Sequence, residues 1–263
     1  MTNSATSFEN PLKHALRAGE PIVGFNVFEC LRPSVARVLA QTGYDFVLVE
    51  TEHIMHSPES VTSFLTLSRD LGLMPIVTIP SVSRAFVSRH LDAGAMGLCL
   101  CHSESADDVE ELARYMKYPP AGERALAHGP NAGYAMPDAA RYCREANEAT
   151  FLALKIESHK GVTNAQAMLD HPAVDAVVFG PGDLAADMGL HGQWQHPDVI
   201  GAMEGVIELA LARGLAVEPV VGPSSPEAFA REVARGIRIF GPTRASEYDA
   251  LRMAAEQLIA PFR

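Results

Sequence analysis

The chain has 263 residues, 48% of them apolar and 20% charged, with 21 basic against 32 acidic side chains and a formal net charge of −11. That balance excludes nucleic acid or an anionic membrane as the main partner, because either calls for a basic face. An anionic substrate stays open, since one bound cation reverses the sign of a pocket.

The opening MTNSATSFENPLKHALRAGE has no apolar core of signal-peptide length and reads as a polar lead-in to a helix. No stretch approaches the roughly 20 apolar residues of a membrane span, so a soluble, cytoplasmic protein is expected. Short apolar, β-branched runs then alternate with amphipathic ones to the end of the chain. Strands are predicted at 21–27, 45–50, 74–80, 96–101, 151–157, 175–180, 215–221 and 236–241. Helices are predicted at 33–41, 58–71, 84–93, 106–116, 164–169, 197–213, 226–234 and 245–259. Ser57-Pro58-Glu59, His196-Pro197-Asp198 and Ser225-Pro226-Glu227 carry helix-start chemistry. Nearly continuous apolar strands (FVLV, LALKI, AVVF) indicate parallel strands covered on both faces. Eight of them alternating with helices predict an α/β fold, a single (β/α)8 TIM barrel over 1–263, with a doubly wound sheet as the alternative. The Pro-, Gly- and Ala-rich stretch 117–148 reads as an elaborated loop after strand four.

Catalytic groups of a parallel barrel collect at the carboxyl ends of its strands. Polar residues cluster there: Glu50-Thr51-Glu52-His53 after strand two, Cys101-His102 after strand four, Lys155-Ile156-Glu157-Ser158 after strand five and Gly180-Pro181-Gly182-Asp183 after strand six. Glu157 and Asp183 end neighbouring strands, so their carboxylates can converge on one ion, and hard oxygen ligands favour Mg²⁺ or Mn²⁺. Two protein ligands leave room for a chelating 2-oxo acid, whose carbonyl the ion would polarise. The alternative is a helix cap at Asp183 and a solvated Glu157. The turn at Gly182 and Asp183 presents backbone N–H groups to a substrate carboxylate. His53, flanked by Glu50 and Glu52, is a candidate acid or base; with His56 it also forms an H-x-x-H pair that would suit zinc. Cys99 and Cys101 are either two core cysteines or a C-x-C ligand pair.

In order along the chain, ETEH at 50–53, KYPPAGER at 117–124, KIES at 155–158 and GPGDLAADMG at 180–189 followed by QHPDV at 195–199 resemble the HpcH/HpaI family of class II 2-oxo-acid aldolases. The resemblance implies a (β/α)8 barrel, built into hexamers of domain-swapped dimers, that cleaves 4-hydroxy-2-oxo acids to pyruvate and an aldehyde. It implies Glu157 and Asp183 as metal ligands for Mg²⁺ or Mn²⁺, with Co²⁺ or Zn²⁺ as alternatives. His53 becomes the acid/base histidine, paired with Glu50 in place of the usual aspartate. Gly182 and Asp183 offer amides to the substrate carboxylate, and Asp92 is an acid directed at a neighbouring subunit's site.

One departure bears on chemistry. The family's arginine at the end of strand three is replaced here by Thr78, and a neutral hydroxyl cannot stand in for a charged, forked donor. Lys155, where the family more often has glutamine, is the proposed substitute; Arg84 and Arg124 are lesser ones, and a Schiff base on Lys155 is an alternative role. His102 is expected to face a substrate tail. Decarboxylation or cleavage of an oxaloacetate-like acid is the second expected activity. A barrel that binds a metabolite without turning it over is the third.

Overall fold

In the computed structural model the described residues are 8–242 and 246–263. The strands are β1 (Ile22–Val27), β2 (Phe46–Val49), β3 (Met74–Ile79), β4 (Gly97–Leu100), β5 (Phe151–Ile156), β6 (Ala176–Phe179), β7 (Ala216–Val217) and β8 (Ile239–Phe240). The helices are α1 (Pro11–Arg17), α2 (Pro33–Gln41), α3 (Pro58–Asp70), α4 (Arg84–Asp92), α5 (Ala106–Met116), α6 (Ala139–Ala149), α7 (His159–Leu169), α8 (Pro181–Asp187), α9 (Pro197–Ala212), α10 (Pro226–Arg235) and α11 (Glu247–Ile259). None is long and apolar enough to cross a membrane.

Every strand from β1 to β6 pairs in parallel with the next, and β8 returns to pair with β1. The seam between β7 and β8 is bridged by Arg238 N–H donating to Val217 O at 3.3 Å. This cyclic order is that of a (β/α)8 barrel and rules out the doubly wound sheet.

Strand alternation sorts the apolar side chains into two cores. Phe46, Leu48, Ile76, Phe151, Ala153 and Val178 point into the barrel, whereas Val47, Val77, Leu98, Leu152, Val177 and Phe179 face the surrounding helices. The amino end of the barrel is closed by α1. Its cap Asn10 accepts from Leu12 N–H at 3.0 Å and donates to Ala149 O at 2.8 Å, which seats Leu12 among the inner side chains. Leu12 is 1% exposed, a burial worth about 2 kcal/mol. With one end plugged by hydrocarbon, the polar groups of the interior are confined to the other.

The strands expected at 215–221 and 236–241 are only Ala216–Val217 and Ile239–Phe240, and two other expected elements differ. The stretch 117–148 follows α5, and its second half is helix α6, begun by Asp138 accepting from Arg141 N–H at 2.9 Å. The helix expected from 164 starts at His159, because Ser158 Oγ caps the amide of Gly161 at 3.0 Å. A Cβ at Gly161 would sit 2.6 Å from Ser103 O, so the glycine is there for close packing of α7 on the β4 exit. Ala245, where the last helix was expected to begin, lies outside the described residues.

Candidate active site at the barrel mouth

The carboxyl ends of β2, β4, β5 and β6 meet around Glu157. Residues 151, 153, 155 and 157 share the inward side of β5 and its extension, which brings Lys155 and Glu157 into the mouth together. Glu157 is 1% exposed and held from two directions. Its Oε1 accepts from His102 N–H at 2.7 Å. His102 reaches that position with φ of 43°, a left-handed backbone that costs a non-glycine residue about 1–2 kcal/mol. On the other side, a Cβ at Gly180 would fall 2.2 Å from Glu157 Oε2, so the carboxylate lies directly against the turn that leads to Asp183.

Lys155 Nζ lies 2.8 Å from Glu157 Oε2 and 3.6 Å from Glu52 Oε2. Both oxygens are buried and make no aligned hydrogen bond. Burial raises the Glu157 carboxyl above the usual carboxylate range, against the opposing pull of Lys155 and the His102 amide. Burial works to lower the Lys155 ammonium, but the charge of Glu157 more than offsets it and holds the lysine protonated. Ligand atoms of Glu52, Cys101 and Glu157 all lie within 4.8 Å of one another, the one such group among the described residues.

Burial pushes the thiols of Cys99 and Cys101 far above the usual cysteine range. Cys99 belongs to the inner core and Cys101 sits one layer above it beside the acids, so the two do not form a ligand pair. Iodoacetamide is therefore expected to label exposed Cys30 in the native protein and to spare Cys99 and Cys101, checked by peptide mass mapping.

The remaining predicted residues take distinct places. The His53 imidazole is 59% exposed and lies 3.5 Å from Glu52 Oε2. Glu50 does not reach that ring: it is 2% exposed, and its Oε1 accepts from the amides of Glu52 and His53. It shapes the loop rather than the imidazole. His56 contacts Glu50 O at 3.0 Å and so ties down the same loop. Thr78 is buried, its Oγ1 accepting from Thr51 N–H at 2.8 Å and donating to Val49 O at 3.3 Å. Both capacities of the hydroxyl are thus engaged between β2 and β3.

Asp183 is exposed in the first turn of α8, which has no side-chain cap; Gly182 precedes it, also exposed. Arg84 is exposed at the start of α4, on the mouth side, and His102 is exposed, with its backbone amide on Glu157 and its ring within electrostatic reach of Glu104. Arg124 and Asp92 are elsewhere. Barrel helices run antiparallel to the strands, so the ends of α4 and α5 lie at the amino end of the barrel. There Arg124 pairs with Asp92 at 2.9 Å and stacks over Tyr118 at 4.6 Å. Arg124 is thus no substrate ligand in its own chain's mouth.

Glu218 after β7 escaped the sequence reading, which named Glu52 and Cys101 at the strand exits without bringing them together beside Glu157. Glu218 is fully buried and accepts from Phe179 N–H at 2.7 Å. Continuing the inward alternation one step beyond each strand would have singled out Cys101 and Glu218. Glu52 depends on the path of the loop.

A profile of the HpcH/HpaI aldolase/citrate lyase family matches residues 28–241. The chain belongs to the HpcH/HpaI aldolase/citrate lyase family. It is 35% identical over 218 residues to a hydroxypyruvate/pyruvate aldolase of Paraburkholderia phytofirmans, covering 80% of this chain and 83% of that one. It is 32% identical over 214 residues to a 4-hydroxy-2-oxo-heptane-1,7-dioate aldolase of Salmonella dublin, covering 79% of each. Among solved structures, an HpcH/HpaI aldolase from Desulfitobacterium hafniense superposes with a TM-score of 0.87 at 29% identity, over 95% of this chain and 96% of that one. Like these HpcH/HpaI relatives, the chain is a carbon–carbon lyase.

Proposed function

We propose that the barrel mouth binds a divalent cation through Glu157 and Asp183 and carries out aldol cleavage or addition on a 2-oxo acid, pyruvate or hydroxypyruvate serving as the nucleophilic half. The observation that carries this is Glu157: a buried carboxylate, raised by burial, whose Oε2 is paired with Lys155 Nζ at 2.8 Å and rests against the turn bearing exposed Asp183. Such a donor set fits a hard cation, Mg²⁺ or Mn²⁺ before Co²⁺ or Zn²⁺. The relatives' names supply the substrate class.

A cation held there supplies Lewis acidity toward the carbonyl of a chelating 2-oxo acid. The chain's own residues do the rest. Lys155, on β5, brings a positive charge to the oxygen on which negative charge develops, in place of the arginine that the family has at the end of β3. His53 Nε2, exposed and next to Glu52, moves the proton of the aldehyde-side oxygen. Glu50 and Thr78 hold the β2 loop that carries His53.

Chelator-stripped protein given Mn²⁺, pyruvate or hydroxypyruvate and a panel of aldehydes is expected to form aldol products only with metal. Oxaloacetate assayed in parallel tests a second reading, decarboxylation, which the engagement of the Thr78 hydroxyl by Thr51 and Val49 favours. No metal-stimulated product in either assay would leave a metabolite-binding barrel.

We assign the assembly to a homo-oligomer and the location to the cytoplasm. Helix α11 buries no residue against its own barrel, and Leu251 and Leu258, seven apart on one face, are 72% and 75% exposed. A face of that kind fits a second copy of the chain, as in the swapped dimers of the family. Leu251→Asp with Leu258→Asp is expected to shift the protein to monomers in sedimentation velocity. An unchanged sedimentation coefficient would contradict the assignment.

A further inference from the structure

Lys155 occupies ground that a metal ion would share. Its ammonium lies 2.8 Å from Glu157 Oε2 and 3.6 Å from Glu52 Oε2, and these buried oxygens make no aligned hydrogen bond. Among the described groups around it, burial keeps the Cys99 and Cys101 thiols far above the usual cysteine range, Val178 is its register partner on β6, His53 Nε2 lies 3.5 Å from Glu52 Oε2, and the buried carboxylates Glu50 and Glu218 accept from backbone amides. Lys155, tethered two residues from Glu157, lies within ion-pair reach of both Glu157 and Glu52.

We propose that Lys155 is a resident counter-ion that competes with the divalent cation for Glu157, and that Glu52 is the carboxylate onto which it moves when the ion binds. The inference rests on Glu157 being a metal ligand. Two cations on one carboxylate oxygen repel each other strongly at this burial, so the ion gains Glu157 only as the ammonium retreats. The retreat is short: Glu52 is already within ion-pair reach, and the lysine stem is flexible. In the loaded site Lys155 then stands beside the ion instead of on its ligand, where a 2-oxo acid's oxygen would meet it. Glu52 acts as a positioning residue.

The test is calorimetric titration of the chelator-stripped, full-length protein with Mn²⁺ alone, no substrate present, with a thermal melt of each variant to establish folding. Lys155→Gln is expected to bind Mn²⁺ about ten- to a hundredfold tighter than wild type, the range over which groups touching a metal's ligands move its affinity. Glu52→Gln is expected to bind about tenfold more weakly, because Lys155 is left with Glu157 alone. In the double variant K155Q/E52Q the Glu52 effect should vanish, leaving affinity within about twofold of Lys155→Gln. Lys155→Arg, which keeps the charge, should not tighten binding.

Lys155→Gln binding no tighter than wild type overturns the proposal. A Glu52→Gln loss that persists in the Lys155→Gln background makes Glu52 a direct ligand and overturns its role as the landing site. If Lys155→Gln does not fold, Glu52→Gln decides, and unchanged Mn²⁺ affinity there overturns the proposal. Glu157→Gln titrating like wild type would overturn the ion-site assignment and this inference together. Loss of binding in Glu157→Gln without a gain in Lys155→Gln overturns this inference alone.

Discussion

Glu157→Gln is expected to lower metal-dependent turnover by two to three powers of ten while leaving the barrel folded. Lewis-acid stabilisation by a bound ion is worth several kcal/mol, and losing about 3–4 kcal/mol of it corresponds to that factor. The amide keeps an oxygen for the His102 N–H now donating to Oε1 at 2.7 Å, so the β4 exit keeps its anchor. What is lost is the negative charge facing Lys155 and the ion. Lys155 is then left with Glu52 alone, 3.6 Å away, and breaking a buried pair in this way costs about 3 kcal/mol of stability. Steady-state rates with saturating Mn²⁺, set beside a thermal melt, separate the two effects. Turnover within tenfold of wild type would remove Glu157 from the chemistry.

Gly180→Ala is expected to do nearly as much through contact alone. The new methyl would sit 2.2 Å from Glu157 Oε2 and 2.7 Å from its Cβ, closer than any real carbon contact. The turn cannot back away, since Gly180 N–H donates to Ile156 O at 3.1 Å and Gly180 O accepts from Leu184 N–H at 2.9 Å. The carboxylate therefore moves, and a displacement of about 1 Å at a reacting site costs on the order of a hundredfold. Overpacking adds about 1–3 kcal/mol of destabilisation. Backbone strain plays no part: at φ −108° any residue is tolerated. Gly182→Ala is the control, because its added Cβ meets nothing within 4 Å, and it should keep near-normal rates. Equal activity of the two variants would contradict the packing of Glu157 against the β6 turn.

Much of this was legible in the chain before folding. Apolar strands at regular spacing predict the barrel, and odd-numbered alternation in Phe151–Ile156 and its extension puts Lys155 and Glu157 on one side. Helix α6 was missed although Tyr142, Ala146 and Ala149 recur at helical spacing, because Pro- and Gly-rich sequence precedes it and its buried residues, Ala146 and Ala149, are small. The roles of Glu50 and Glu52 were not legible either. The chain leaves the ladder after Val49, and a loop folded back on Glu50 turns the next acid, not the first, toward Lys155 and His53. Period-two reasoning stops where the ladder stops. The place of Arg124 follows from topology rather than from its motif: a residue after the end of α5 lies at the amino end, whatever its neighbours spell.

The assignment of Glu157 and Asp183 as an ion site is tested most directly by anomalous diffraction from crystals soaked in Mn²⁺ and pyruvate. The expected result is one anomalous peak at the mouth, about 2.0–2.6 Å from oxygens of both Glu157 and Asp183, the range for hard cations on oxygen. Density for a 2-oxo acid should complete the coordination, with Lys155 turned onto Glu52. A peak coordinated by Cys101 and Glu52 without Asp183, or no peak at the mouth in crystals of protein that turns over only with Mn²⁺, would contradict it.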